Sequence, residues 1–190
     1  YGELISTTVV AEYLSQIGIA AEQLDTRKVI LTDDQYGYAF VFSQRSYDRI
    51  RRYLQDRTKT QVITGFLGST ETGTTTTLGR SGSDYTAAIF GAALHAEAIE
   101  IWTDVDGIFS ADPSIIQEAE AVPHLTYEEA MELAHAGARV IFPPTMIPAL
   151  YKNIPIIIKN SFNPDHPGSK ISKDRAATGK SAGVISSLSN

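Results

Sequence analysis

The sequence predicts an α/β fold, a mostly parallel sheet covered by helices on both faces. Three observations carry this. Short apolar runs without polar alternation, in "TQVITGFLG", "AIEIW" and "IPIIIKN", read as strands buried on both sides. They alternate with helix-spaced segments. Polar, glycine-bearing stretches ("GFLGST", "LGRSGSD" and "TDVDG") follow strands, where ligands sit in such sheets.

The elements follow in chain order. Leu4, Ile5, Val9, Tyr13, Leu14 and Ile17 fall on one helical face, and Gly18 is the natural stop. Ile19 to Leu24 and Val29 to Leu31 read as short strands. Ser43 is a candidate cap for a helix that turns Tyr47, Ile50, Tyr53 and Leu54 inward. "TETGTTTTL" has the turn glycine and β-branched run of a hairpin. Ser83 opens a helix whose Ala87, Ala88, Gly91 and Ala92 permit close packing on a sheet. Trp102 ends a strand and reads as core. "TYEEAMELAHAG" begins with a capping box, Thr126 to Glu129, and closes on Gly137. A Pro143-Pro144 turn precedes a short helix to Tyr151, and "IPIIIKN" follows as a strand. From Ser172 the apolar content drops, as in a linker. "VISSL" beyond it is a candidate first strand of a further domain.

Composition narrows the function. A chain of 190 residues with 43% hydrophobic content can bury one substantial core. A net charge of -6 argues against nucleic-acid binding, which needs clustered cations on phosphates. Half of the sixteen basic residues lie between Arg27 and Lys59, but Asp48 and Asp56 interleave them, as on a solvated helix face. No cysteine is present, in keeping with a reducing, cytoplasmic setting. No apolar run approaches the roughly 18 residues of a membrane span.

Charge is spread unevenly. From residue 60 to 138 there are twelve carboxylates and a single cation, Arg80. In "GRSGSD", glycines would let backbone amides approach an anion at the following helix start, and Arg80 would clamp a carboxylate or phosphate. On spacing alone this reading and a plain surface arginine, with Asp84 serving the helix dipole, weigh equally. Asp104, Asp106 and Asp112 cluster after a strand, as Mg²⁺ ligands acting through water and substrate phosphates can. Asp-Gly and Asp-Pro turn chemistry explains Asp106 and Asp112 as well, and singly it prevails. The four histidines show no metal-ligand spacing, so no metal held by the protein alone is expected.

The blocks "GFLGSTETGTTTTLGRSGSDYTAA", "IEIWTDVDGIFSADP", "LTYEEAMELAHAGARVIFPPTMIPAL" and "IPIIIKNSFNPDHPGSKIS" resemble the second half of an aspartokinase catalytic domain, and "GELIST" resembles its glutamate-bearing helix start. The resemblance covers nearly the whole chain, in the family's order. It implies the amino-acid-kinase fold, a three-layer αβα sandwich, lacking here its N-terminal part. It implies transfer of the ATP γ-phosphate to the side-chain carboxylate of L-aspartate, the opening step of lysine, threonine and methionine synthesis. Arg80 matches the position that grips an aspartate carboxylate, and Glu3 one that meets its amino group. Phe66, Ser83 and Asp84 match the same substrate wall, and Asp84 also a catalytic position that organises cations. Thr103, Asp104 and Phe109 match the nucleotide pocket, and Arg139 a catalytic position on the ATP phosphates. Mg²⁺ would be bound mainly through those phosphates. A homo-oligomer is implied for the full-length protein.

The chain departs from the family at several places. Its lysine-bearing glycine-rich phosphate loop is absent, and Lys28, without glycines, does not replace it. Phe109 stands where tyrosine is usual and Arg139 where lysine is, which changes the donor geometry. "DPS" lacks the arginine that commonly follows, and "VIFPPTM" lacks the usual histidine and arginine. The expectation is therefore a partial catalytic domain over residues 1–171 and a linker with the possible start of a regulatory domain over 172–190. Such a piece alone would turn over little or not at all, and homoserine dehydrogenase is a possible fusion partner. Two other readings compete: a non-catalytic binding or assembly descendant, and another carboxylate or carbamate kinase of the superfamily. The joint retention of Glu3, Arg80, Asp84 and Asp104 favours the aspartate enzyme, since a scaffold has no need of that set.

Overall fold

A computed structural model of the protein describes residues 1–111, 115–135 and 142–174. The chain divides into two compact units, Tyr1–Leu94 and His95–Asn190. Asp112, Gly137, Arg139 and most of the expected linker lie outside the described residues.

The first unit opens with helix α1 (Gly2–Gln16), which stops at Gly18 in the left-handed conformation, φ +89°. Its inward face is not the expected one. Ala11 is buried and Leu4, Thr7 and Leu14 half-buried, while Ile5, Val9, Tyr13 and Ile17 are exposed. Apolar residues surround most of this helix, so periodicity cannot choose the face; docking on strand β1 (Ala21–Leu24) does. There the Gln23 amide donates to Leu4 O and Thr7 Oγ1, both at 2.8 Å.

β1 pairs in parallel with β2 (Thr60–Ile63). A short 3-10 turn at Thr26–Lys28 follows β1, and Asp25 caps it. Val29 to Leu31, expected as a strand, are fully buried but join a ladder only through the Leu31–Ser69 bridge. The amides of both Val29 and Ile30 bond back to Thr26 O, so the chain is still turning as it enters the core. Strands β3 (Leu67–Ser69) and β4 (Thr75–Thr77) form the expected antiparallel hairpin, with Gly73 at φ +84° in its turn.

Helix α2 (Ser43–Leu54) begins at Ser43 itself. Phe42 holds the cap position without a side-chain bond, so Ser43 is not the cap. Helix α3 (Gly82–Leu94) begins one residue earlier than expected. Its small residues bring it against α2, where the Arg51 guanidinium donates to Ala93 O at 3.2 Å. Leu24, Val29, Ile30, Ile50, Ile89 and Phe90 form the centre of the core between them, with Tyr47, Tyr53 and Leu54 packed at its edge.

The second unit holds a four-stranded sheet of β5 (Ile99–Thr103), β6 (His124–Thr126), β7 (Ile156–Asn160) and β8 (Ser169–Ser172), in the order β5-β7-β8-β6. β5–β7 and β6–β8 are parallel and β7–β8 is antiparallel, so a mostly parallel sheet carries one antiparallel pair. The 161–168 connection is too short for a parallel crossover, which needs roughly a dozen residues. Gly168 makes the return possible: at φ +77°, a Cβ there would lie 1.9 Å from Ile158 O.

Helix α4 (Tyr127–His135) carries the expected capping box: the Glu129 amide donates to Thr126 Oγ1 and the Thr126 amide to Glu129 Oε2. Helix α5 (Pro143–Lys152) starts on its two prolines, so they open the helix rather than precede it. Tyr127 is fully buried and donates its hydroxyl to Ile154 O, and burial pushes its pKa up to about 12. Trp102, expected in the core, is 46% exposed, with the Lys159 ammonium 4.7 Å from its ring centroid.

Ile50→Ala, at the centre of the α2–α3 core, is expected to cost about 2–5 kcal/mol in chemical denaturation of the chain. A loss below about 1 kcal/mol would show that this core collapses around the gap.

Candidate active site

The loops of the first unit gather where its parallel strands end. Gln23 ties the start of α1 to the carboxyl end of β1, and Ser15 Oγ reaches Ala21 O at 3.4 Å at the other end. Half-buried Glu3 therefore stands in the first turn of α1 at the carboxyl edge of β1 and β2. Residues 64–66 leave β2 at that same edge.

Phe66 is held in the left-handed conformation, φ +70°, which costs a non-glycine residue about 1–2 kcal/mol. Two hydrogen bonds fix it. Its amide donates to Thr86 Oγ1 at 3.1 Å, and its carbonyl accepts from the Leu78 amide at 2.9 Å. The Thr86 hydroxyl in turn donates to Gly82 O at 2.8 Å. A Cβ on Gly82 would lie 2.7 Å from Phe66 Cδ2, and one on Gly65 2.8 Å from Ser83 Oγ. Only glycine admits this approach, so residues 64–66 and 79–83 are locked together at the start of α3.

Ser83 is exposed there and Asp84 half-buried in the first turn. Burial raises the Asp84 pKa above the ordinary carboxylate value. Arg80 is exposed, next to Ser81 at φ +52°, in the loop that brings Gly79 against the Tyr38 ring. The first unit thus brings Glu3, Phe66, Ser83 and Asp84 to one edge, with Arg80 on the loop entering α3.

Sequence reading missed the hydroxyls that support this edge. Thr26 and Thr64 are both fully buried. The Thr26 amide donates to Thr64 Oγ1 at 3.0 Å, and Thr26 Oγ1 lies 2.7 Å from both Thr64 O and Leu67 O. Thr86 is 3% exposed. At these positions local composition does not separate a buried strut from a solvated threonine.

In the second unit, Thr103 ends β5, and its hydroxyl donates to Asp104 Oδ1 at 3.1 Å. The Ser161 amide donates to Thr103 O at 2.8 Å. Asp104 is exposed and Phe109 half-buried, bridged to Ala121. Gly107, at φ +138°, packs so closely on Ser169 that a Cβ would lie 2.4 Å from its Oγ. Among the described residues no three His, Asp or Glu side chains converge to hold a metal ion. No described helix is long and apolar enough to cross a membrane.

The Amino acid kinase family matches residues 1–160. The chain is similar to Aspartokinase 1, chloroplastic, of Arabidopsis thaliana, at 41% identity over 94% of this chain and 32% of that protein. It is similar to Lysine-sensitive aspartokinase 3 of Escherichia coli (strain K12), at 40% identity over 90% of this chain and 38% of that one. The crystal structure of E. coli aspartokinase III in complex with aspartate and ADP superposes with a TM-score of 0.86 at 36% identity, over 93% of this chain and 40% of that chain. The chain therefore spans about a third of the length of the curated relatives it matches. With the fold, the loop placement and the match over residues 1–160 in agreement, the chain belongs to the amino acid kinase family.

Proposed function

We propose that the chain is the aspartate- and ATP-handling part of an aspartokinase, which converts L-aspartate and ATP to 4-phospho-L-aspartate and ADP. The observation that carries this is the locked edge of the first unit, which gathers a carboxylate, an aromatic wall and a helix start behind the loop of Arg80. A related protein with this fold binds aspartate and ADP.

In this reading Arg80 clamps an aspartate carboxylate in a bidentate pair, Glu3 takes the ammonium group, and Phe66 and Ser83 wall the site. Thr103, Asp104 and Phe109 hold the nucleotide, and Arg139, outside the described residues, meets its phosphates. A side-chain oxygen of aspartate attacks the γ-phosphorus while the bond to the β,γ-bridging oxygen breaks, leaving ADP. Phosphoryl transfer between anions needs alignment and charge neutralisation more than covalent help.

The donor set fits Mg²⁺ carried in on the nucleotide, since Asp84 and Asp104 are single carboxylates and not a protein cage. Such an ion would neutralise phosphate charge. Asp84 would orient its shell, and its burial makes that carboxylate costly to ionise until a cation arrives. The reading extends to residues 172–190 as a linker toward a regulatory domain, to a homo-oligomer, and to a cytoplasmic setting.

Calorimetric titration of the chain with L-aspartate and with ADP tests the function. Saturable heat for both, with glutamate silent, is expected; no heat from aspartate overturns it. Arg80→Ala should weaken aspartate about ten- to a hundredfold, the worth of one charged hydrogen-bond pair, and leave ADP affinity and Tm nearly unchanged. For Asp84 the folded pKa is raised, so its ionised form destabilises the fold above the ordinary value of 3.8. Asp84→Asn should therefore have the higher Tm at pH 7, with the gap closing as pH falls toward that value. A wild-type chain more stable than the variant at pH 7 would contradict this.

A further inference from the structure

The sequence explained Asp106 as part of an Asp-Gly turn, and the proposed mechanism gives it no role. The structure shows a built arrangement around it. Asp106 Oδ1 accepts from Asn160 Nδ2 at 2.9 Å and from Asn163 Nδ2 at 3.0 Å. Neither donor is charged, and Asn160, at the end of β7, is 8% exposed. Asn160 is itself fixed: its Oδ1 accepts from the Phe162 amide at 2.9 Å, and its backbone carbonyl from the Asn163 amide at 3.2 Å. Both amides are thus presented by one small turn after β7.

That turn grips the loop after β5 on both sides of Asp104. Ahead of it, the Ser161 amide holds Thr103 O. Behind it come Asp106, then the Gly107 contact with Ser169, then the Ile108 amide on Ser169 Oγ at 2.8 Å. Residues 104–107 are bends outside any ladder, so side-chain bonds must fix the direction in which Asp104 leaves the strand. The Asn160 bond, then the Asn163 bond and the His166 charge, hold the Asp106 carboxyl below its ordinary range, with partial desolvation opposing.

We propose that Asp106 is a positioning residue for nucleotide binding. Clamped by Asn160 and Asn163, it sets the Thr103–Asp104 step that meets the nucleotide without touching the nucleotide itself. This rests on the reading of Thr103 and Asp104 given above. A turn residue with only local duties would need no donors from a loop more than fifty positions away in sequence. A clamp between two strand ends does.

The test is calorimetric titration of the chain with ADP and, separately, L-aspartate, together with the thermal midpoint. Asp106→Ala is expected to raise the ADP Kd about tenfold, the cost of losing charge-assisted bonds, with aspartate affinity unchanged. Asp106→Asn keeps an Oδ1 acceptor for the two amides and should recover most of that loss. A folded Asp106→Ala chain with an ADP Kd within about twofold of wild type overturns the proposal. So does equal loss of ADP and aspartate with a collapsed midpoint, since the role is then general stability. If Asp106→Ala does not fold, Asn163→Ala, which removes one donor from an exposed position, is read in the same way. A wild-type chain that binds aspartate and not ADP removes the nucleotide reading, and this proposal with it, before any variant is made.

Discussion

Gly82 meets the ring of Phe66 with no space for a Cβ, and the candidate site of the first unit depends on that contact. Because α3 can begin there, its first turn approaches the chain leaving β2. Because the approach is close, Phe66 must take a left-handed backbone, and Thr86 and Leu78 supply the bonds that hold it. Strain of this kind persists only where the surroundings over-determine it. Here a helix start, a hairpin end and a strand end all do so, and together they place Ser83, Asp84 and the Arg80 loop. Any residue larger than glycine at position 82 would push these segments apart and undo each placement at once.

The second constraint is the scarcity of positive charge. With one cation in the stretch from 60 to 138, its carboxylates must look outside it for positive charge, as Glu71 does to Arg45, or to neutral donors. Asp106 is satisfied by amide dipoles and Asp84 by none strong enough to offset its burial. Neutral donors can fix geometry without adding charge near an anionic ligand. An under-compensated carboxylate suits a site that receives a cation along with its substrate. The proposed function needs both conditions, and ordinary folding stability favours neither.

Strength is therefore stored away from the loops. Ile50, Ile89 and Phe90 in the first unit, and Tyr127 with the β7–β8 return in the second, supply burial that can tolerate a costly Asp84 and a left-handed Phe66. Marginal sites on stable cores are the common compromise between stability and activity.

Local chemistry determined what sequence could settle here. The stop at Gly18, the hairpin around Gly73 and the capping box of Thr126 and Glu129 each depend on neighbours along the chain, and each is found as read. So do the existence of α1 to α5 and the glycine-bearing segments at strand ends. Tertiary structure alone decided the buried face of α1, since apolar residues nearly encircle it and the bonds of Gln23 and Ser15 between helix and strand mark the docked side. It decided that Val29 to Leu31 form no ladder, that β8 returns antiparallel, and that Trp102 faces outward. It also selected Thr26, Thr64, Thr86 and the Asp106 clamp from among many similar polar residues. Each of those roles is a hydrogen bond between distant positions, and spacing along a chain holds no record of which distant donor meets which acceptor.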